Sequence, residues 1–428
     1  MSYCKLLFNS NSPLVRFADD GCMRSVLRHM SGITSTVSRR VQQTDTPCIV
    51  TMQQMLRGKE DVISLAQGIV HWPPPAEALA SARAAADSPN SSLYCADDGL
   101  PHLRDALKRK LAQENALTAS EVMVTAGANQ AFTNVVLALL DAGDSALLFR
   151  PYYFNHLMAL QMTGSARELV LPPSLGDMQP DLSALRTELE TRAAAGDRQL
   201  RMVTLVNPGN PTGVMVPLET LEAASELCKA HGVWLVVDNT YEHFEYEGEA
   251  PHRCVEGEHV INIFSFSKAF GMMGWRVGYL AFPPALGPSL FKLQDTIVIC
   301  PSVASQEVAF GALSAGRGWV KERVRGLAEQ KALVLEALEP LIKAMGPEAV
   351  QGGSGAIYLF CKLPDHAQDD VAAVKMLTEK FGVCIIPGSA CGMPGHVRLC
   401  YANKDLETTR EAAQRLKRGM QAIVDGDV

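Results

Sequence analysis

No apolar run in the 428 residues reaches the ~18 needed to cross a bilayer as a helix. No two cysteines stand as C-x-x-C, and the total of 11 is odd. A disulfide scaffold is short, secreted and evenly paired, so this usage points to buried thiols in a reducing compartment. The ten histidines show no metal-ligand spacing, and no G-x-S-x-G nucleophile elbow is present. Gly352-Gly353-Ser354-Gly355 is too brief for a dinucleotide loop and lacks the following helix. A basic excess is missing as well: 39 Lys and Arg against 46 Asp and Glu leave a formal charge of −7. Nothing here supplies the basic face of a nucleic-acid binder. With 47% hydrophobic and 20% charged residues, disorder, collagen and coiled coil are excluded. The length allows two domains and a large core. What is left is a protein that handles small molecules, with neither membrane nor nucleic acid as partner.

Residues 1–60 differ from the rest, being rich in Ser, Thr and Arg with weak apolar periodicity. Arg16, Arg24, Arg28, Arg39 and Arg40 suit an organelle transit peptide, whereas Asp19 and Asp20 argue against one. The alternative is a loosely ordered N-terminal arm packed on a partner subunit. The expected compartment is therefore the cytoplasm, with plastid or mitochondrion as the alternative if the segment is a leader.

From about Asp61 the chain alternates. Short apolar runs read as buried strands: Glu121–Val124, Ala146–Phe149, Glu168–Leu171, Arg201–Val206, Val233–Val237, Val260–Phe264 and Val277–Phe282. Leu100, Leu103, Leu107 and Leu111 share one helical face, as do Leu218, Leu221, Ala224 and Leu227, with Gly232 as a stop signal. Strands alternating with helices predict an α/β sheet covered on both faces. After about Ala309 the pattern changes to a long helix, Trp319 to Leu341, strands Ala356–Phe360 and His396–Cys400, and a closing helix, Leu406–Ala422. The expected division is an extension over 1–60, a large domain over 61–309 whose opening segment joins the small domain, and a small α+β domain over 310–428.

Four clusters carry chemistry, each with a plain structural alternative. Ser265-Phe266-Ser267-Lys268, followed by Gly271, Gly274, Arg276 and Gly278, leaves an apolar strand. A lysine desolvated at a strand exit suits Schiff-base chemistry, and the hydroxyls and arginine suit a phosphate. The alternative is a solvated loop lysine beside a glycine-rich turn. Asp238 ends another strand, with Tyr241 close behind; it is either a ligand-site carboxylate or a helix cap. Asn207-Pro208-Gly209-Asn210-Pro211-Thr212-Gly213 either aims the Asn210 amide or simply makes a tight turn. In Thr125-Ala126-Gly127-Ala128-Asn129-Gln130-Ala131, Gly127 either opens an anion-binding helix N-terminus or is an ordinary turn glycine.

In order and content these clusters resemble the class I/II aminotransferases, fold type I enzymes that use pyridoxal 5'-phosphate. The resemblance spans about Ser64 to Ala422. It rests on S-x-S-K-x-x-x-x-x-G-W-R-x-G at Ser265 to Gly278 and on N-P-x-N-P-T-G at Asn207 to Gly213. It rests also on Y-x-x-x-x-G-x-x-x-L-R from Tyr94 to Arg104. L-A-Q-G at Leu65 to Gly68, T-A-G-A-N-Q-A-F and P-Y-Y-F-N look like the plant-type aromatic/methionine aminotransferases. The implied fold is a large domain with a mostly parallel seven-stranded sheet plus a smaller α+β domain.

The resemblance implies roles. Lys268 would carry the cofactor as a Schiff base and then act as general base; Asp238 would pair with the pyridine nitrogen. Tyr241 and Asn210 would bond the ring hydroxyl oxygen, and Tyr153 would stack on the ring. Ala128, Asn129, Ser265, Ser267 and Arg276 would hold the phosphate. Tyr94 would reach the phosphate of the other subunit, implying a homodimer with shared sites. Arg398 would grip the substrate α-carboxylate beside Gly68 and Asn210; without the family, Arg398 reads as a surface salt bridge.

Trp275, Tyr358 and Phe360 are apolar candidates near the site whose default role is core packing. His156 stands where many relatives carry Tyr and reads first as a satisfied structural histidine. The segment Thr296 to Gln306 holds Ile297, Val298, Ile299 and Pro301 but no arginine. An acidic substrate side chain wants a second cation, so the expected donor is apolar or aromatic: Met, Phe, Tyr or Trp. The partners are then an amino acid and a 2-oxo acid, exchanged by ping-pong steps. A β-eliminating lyase or a cyclopropane-forming synthase shares the same motifs and stays open. A cofactor-sensing regulator needs a DNA-binding domain in front, and residues 1–60 show no such pattern.

Overall fold

The computed structural model describes residues 37–164 and 166–427. Arg16, Asp19, Asp20, Arg24 and Arg28, on which the leader reading turns, lie outside the described residues. The chain divides into two units, 1–44 and 45–428. In the first, the described residues include one short helix, Arg39–Gln43.

In the second unit the strands run in chain order as β1 Ile63–Ser64, β2 Glu121–Thr125, β3 Asp144–Leu148, β4 Ala166–Val170, β5 Leu200–Val206, β6 Trp234–Asp238, β7 Val260–Ser265, β8 Gly278–Phe282, β9 Val350–Gly352, β10 Tyr358–Lys362, β11 Val383–Cys384, β12 Ile386–Pro387 and β13 His396–Cys400. Seven of them form one sheet in the order β2-β8-β7-β6-β5-β3-β4. β8 is antiparallel to both its neighbours, β2 and β7; the other pairings are parallel. All seven predicted strands are present, with ends within two residues of the expected ones.

The apolar runs are explained by burial on both faces. Along β6, Val236 enters one core and Val237 the opposite one, as the alternation of a strand demands. The first core packs the sheet against helices Ala128–Leu139, Phe154–Thr163 and Gly287–Val298 through Phe132, Val136, Leu157, Leu160 and Leu290. The second packs it against helices Leu182–Ala194 and Leu218–Ala230 through Leu185, Leu189, Leu221 and Leu227. In register, Asp238 lies beside Val206 on one side and Ile263 on the other. The polar segments after β5, β6 and β7 therefore leave the sheet at one edge, the carboxyl ends, where open α/β sheets bind ligands.

The remaining strands build a second, antiparallel sheet, β12-β13-β10-β9, and β1 pairs in parallel with β11. β10 begins two residues later than predicted because Ala356 takes a left-handed turn conformation, φ +53°. A shift of two keeps each side chain on its predicted face.

Two expectations need correction. The long helix runs from Val303 to Ala337, with Ser302 capping the Ser305 N–H and Gly316 (φ 75°, ψ 170°) breaking it. A second helix, Glu339–Met345, follows. The stretch before Trp319 is rich in Ala, Gly and Ser and so carries little apolar periodicity to read. Within the stretch read as an arm, helix Cys48–Leu56 buries Cys48 and Met52 in the main core. Among the described residues no helix is long and apolar enough to cross a membrane.

Candidate active site

All the site residues selected from the sequence, except Tyr94, line one cavity of about 420 Å³ at the carboxyl edge of the large sheet. That is the size of an ordinary small-molecule pocket.

Asp238 lies at its floor. Its Oδ1 accepts from the Thr240 N–H at 2.9 Å and the Thr240 hydroxyl at 2.6 Å, closing a turn. Its Oδ2 faces His156 Nε2 at 3.1 Å. Burial alone would raise this carboxyl's pKa. The His156 bond and charge and the Thr240 bonds outweigh it and hold Asp238 below the usual carboxylate range. The site thus holds a buried, charged acceptor.

Another part of the lining is electropositive. Helix Ala128–Leu139 starts at Gly127 without a side-chain cap, so its first N–H groups and positive dipole end face the cavity. Gly127 has φ 84°, and a Cβ there would collide with the Arg276 guanidinium. A Cβ at Gly278 would lie 2.7 Å from the Ala128 nitrogen. Both glycines therefore let backbone and arginine close on the same spot. The Ser265 hydroxyl accepts from the Ser267 N–H at 3.1 Å, and Arg276 Nη1 donates to the Ser267 hydroxyl at 3.5 Å and to the Met273 carbonyl at 3.0 Å. Two hydroxyls, a guanidinium and a helix N-terminus make a receptor for a tetrahedral oxyanion.

Lys268 lines the same cavity, its amine donating to the Gly68 carbonyl. Its pKa is pushed down to about 8, chiefly by desolvation; Cys400 opposes the shift and the charges of Arg276 and Arg398 add to it. Near neutral pH such an amine keeps a reactive free-base fraction, which the solvated-loop alternative would not.

Arg398 on β13 is buried, not a surface salt bridge. Its Nη1 donates to Asn210 Oδ1 at 2.8 Å and its Nη2 to the Ala66 carbonyl at 2.7 Å, while Nε, also buried, has no partner. Asn210 is held by its loop: Gly209 N–H donates to the Val214 carbonyl at 2.8 Å, and Val216 N–H to Asn207 Oδ1 at 2.9 Å. Tyr153 opens helix Phe154–Thr163 and accepts from Asn155 Nδ2 at 2.9 Å. Tyr241 is buried on the turn after β6, and burial, then Tyr358, raises its phenol pKa well above normal.

Three residues were under-read. His156 is a satisfied histidine, but its partner is Asp238, which puts it in the site. Tyr358 reaches the cavity with its hydroxyl bonded to that of Tyr241, while Phe360 on the same strand stacks on His396 at 5.3 Å, as a core residue would. Thr240 fixes Asp238. A hydroxyl two residues after a strand-end aspartate was the one sequence signal available. Tyr94 is 79% exposed and stands apart from the cavity of its own chain.

A profile of the family described as "Aminotransferase class I and II" matches residues 60–416. The chain is 46% identical over 397 residues to an aromatic aminotransferase of Arabidopsis thaliana, covering 92% of this chain and 98% of that one. It is 32% identical over 395 residues to the aspartate/prephenate aminotransferase of Thermus thermophilus, covering 89% and 98%. Among solved structures, an aspartate aminotransferase of T. thermophilus matches with a TM-score of 0.79 at 29% identity, over 90% of this chain and 100% of that one. An aromatic aminotransferase of Pyrococcus horikoshii matches with a TM-score of 0.75 at 28% identity, over 86% and 98%.

Proposed function

This chain belongs to the class I and II aminotransferases, and from that premise we propose that it moves the amino group of an apolar or aromatic L-amino acid (Met, Phe, Tyr or Trp) to a 2-oxo acid, using pyridoxal 5'-phosphate. The observation that carries this reading is the placement of an oxyanion receptor, a buried carboxylate and a desolvated lysine in one cavity.

The residues fit that cofactor. The uncapped helix end at Ala128 and Asn129, with Ser265, Ser267 and Arg276, suits its phosphate. Asp238 suits a protonated pyridine nitrogen, which a neutral floor would not hold. Tyr241 and Asn210 suit the ring hydroxyl, Tyr153 the ring face and Lys268 the aldehyde carbon. When bound, the cofactor supplies an electron sink for breaking the substrate Cα–H bond.

The rest is the work of the chain. Arg398 presents a planar donor fork to the substrate carboxylate, held by Asn210 and the Ala66 carbonyl. Gly68 leaves room beside it. The amine of Lys268, basic yet partly deprotonated, would take the Cα proton and give it back across the transferred nitrogen, to the carbon that was the cofactor's aldehyde. Asp238 keeps its charge because His156 and Thr240 bond it. Ile49, Ile69, Phe154 and Met273 line the cavity and suit an apolar side chain. The first 2-oxo acid would leave, with the amino group retained on the loaded enzyme, before the second binds at the same residues, which makes the kinetics ping-pong.

The acting form is a homodimer in which Tyr94 reaches the partner's phosphate site. Leu93 and Tyr94, 64% and 79% exposed, support it. Residues 61–309 serve mainly as the large domain and 310–428 as the small one, which the opening segment of the first joins, as the pairing of β1 with β11 supports. All nine described cysteines are free thiols, which supports a reducing compartment; the cytoplasm is the reading taken, with plastid or mitochondrion as the alternative.

The test is the spectrum of cofactor-loaded protein mixed with single amino acids. Methionine or the aromatics should bleach the yellow band, and a 2-oxo acid should restore it. Bleaching by aspartate or glutamate alone overturns the donor class; ammonia release instead of transfer overturns the reaction.

A further inference from the structure

We propose, resting on the reading above, that Tyr358 is a positioning residue of the transfer reaction: its hydroxyl sets the direction of the Tyr241 proton while its ring supports Arg398. Tyr358 is the first residue of β10, 1% exposed, and pairs in register with Cys400 of β13. Its hydroxyl is hydrogen-bonded to that of Tyr241, and the two rings meet edge to face at 5.5 Å and 76°. The Arg398 guanidinium lies over the Tyr358 ring, 4.5 Å from its centroid.

Two glycines let this residue approach, one at its side chain and one at its backbone. A Cβ at Gly68 would collide with the Tyr358 hydroxyl, and a Cβ at Gly213 would collide with the Tyr358 carbonyl. Gly68 is the residue whose carbonyl holds Lys268, and Gly213 closes the loop that aims Asn210. Two segments of the site therefore lack side chains where Tyr358 stands. A phenylalanine would fill the same space without the oxygen, so packing alone does not require a tyrosine.

Each phenol owns one proton and can donate it once. If Tyr241 donated to Tyr358, it would have no proton left for the cofactor's ring oxygen. The polarity is decided by Arg398. A cation over the face of Tyr358 favours loss of its proton and makes it the better donor. Burial raises both phenols; the Arg398 charge opposes the rise at both, as the second-largest influence at Tyr358 and only a minor one at Tyr241. Tyr358 therefore donates to Tyr241, and the Tyr241 proton is left to point into the cavity. A donor whose own oxygen accepts a bond is strengthened. With the cofactor bound, donation to its ring oxygen would stabilise the negative charge there and weaken that oxygen's hold on a proton shared with the Lys268 nitrogen, which would then titrate at lower pH.

The experiment is a pH titration of the visible band of the cofactor-loaded enzyme, in the parent chain, Tyr358→Phe, Tyr241→Phe and the double variant. Tyr358→Phe should raise the midpoint by about half a unit to one unit, the size of one neutral hydrogen bond. The KM of the amino donor should stay within about twofold, because the ring under Arg398 remains. In the Tyr241→Phe background the second substitution should add nothing, since Tyr358 acts through Tyr241. Gly68→Ala, whose methyl takes the place of the Tyr358 hydroxyl, should move the midpoint the same way and stands in if Tyr358→Phe does not fold. An unchanged or lowered midpoint, or a rise that persists without the Tyr241 hydroxyl, overturns the proposal. A parent chain that takes up no cofactor overturns the assigned cofactor instead.

Discussion

The imidazole of His156 sets its Nε2 3.1 Å from Asp238 Oδ2, with the two side chains only 4% and 6% exposed. The ring stacks on Phe132 at 4.0 Å and meets Tyr153 edge-on at 5.1 Å, so it cannot swing away from the carboxylate. Two aromatic walls thus aim one donor at the group that is to face the cofactor nitrogen.

His156→Phe keeps the stack and deletes the donor. Asp238 then loses a hydrogen bond and its pKa rises. Loss of one bond to a charged group corresponds to about a tenfold weaker hold on pyridoxal phosphate at pH 7. Fluorescence titration of the cofactor-free chain from pH 5 to 8 checks this. The variant's affinity should begin to fall at higher pH than that of the parent, and parallel curves would refute the assigned role.

Arg398→Lys replaces a fork by a point charge. The ammonium cannot span Asn210 Oδ1 and the Ala66 carbonyl while presenting two parallel donors to a carboxylate. The KM for the amino acid should rise about 10- to 100-fold, the worth of one or two charge-assisted bonds. The visible band of the loaded enzyme should be nearly unchanged. Steady-state kinetics with and without an amino donor lacking its carboxylate checks this, because that donor should lose nothing.

The strand exits were legible because runs such as Val260–Phe264 are apolar on both faces and then stop at Ser265. Burial on both sides forces that pattern, and the polar cluster after it has little choice but the sheet edge. Lys268, Asp238 and Asn210 were legible in the same way, one per exit. Tyr358 was not, because on β10 it sits among Leu359, Phe360 and Cys361, and alternation cannot tell a phenol aimed at a cavity from one packed in a core. Its signal is the collision a Cβ at Gly68 would make with its hydroxyl, which exists only in three dimensions. His156 was half-read for a similar reason: it sits on a helix, and its partner comes from a strand end far along the chain. The first part of the long helix, from Val303 to the break at Gly316, was missed because a stretch rich in Ala, Gly and Ser shows no apolar face.

Lys268 links function to stability. Its ordinary pKa of 10.5 applies in the unfolded chain and falls to about 8 in the native one. Between those values the unfolded chain binds more protons, so the native state gains stability as pH rises. Below pH 8 the full penalty of a desolvated ammonium is present. Cofactor-free Lys268→Met should therefore be more stable than the parent at pH 7.5, and its advantage should shrink through pH 8.5 and 9.5. Urea unfolding at the three values checks this; an advantage that does not change with pH contradicts the shift.

Beneath the turn that carries Asp238 and Tyr241 lies a buried ion pair, Lys110 with Glu242, their side chains 8% and 7% exposed. Asn115 bonds both members, at 2.9 Å each, and the Tyr279 hydroxyl stands 3.3 Å from the ammonium. Burial would raise the Glu242 pKa, but Lys110, then His243 and His252, hold it down to about 2. Stability from this carboxylate is complete above its ordinary 4.5 and is lost as pH falls toward 2. His243 and His252, pushed down to about 4 and about 3 by burial, lose stability from 6.5 downward in the same direction. Removing one partner leaves the other charge buried and alone, so Lys110→Met or Glu242→Gln should each cost about 3–5 kcal/mol. The double variant Lys110→Met/Glu242→Leu, which buries no charge, should recover most of that loss. It should also unfold less steeply than the parent between pH 4.5 and 3. Equal costs for the single and double variants would mean that the pair holds the turn by shape and not by charge.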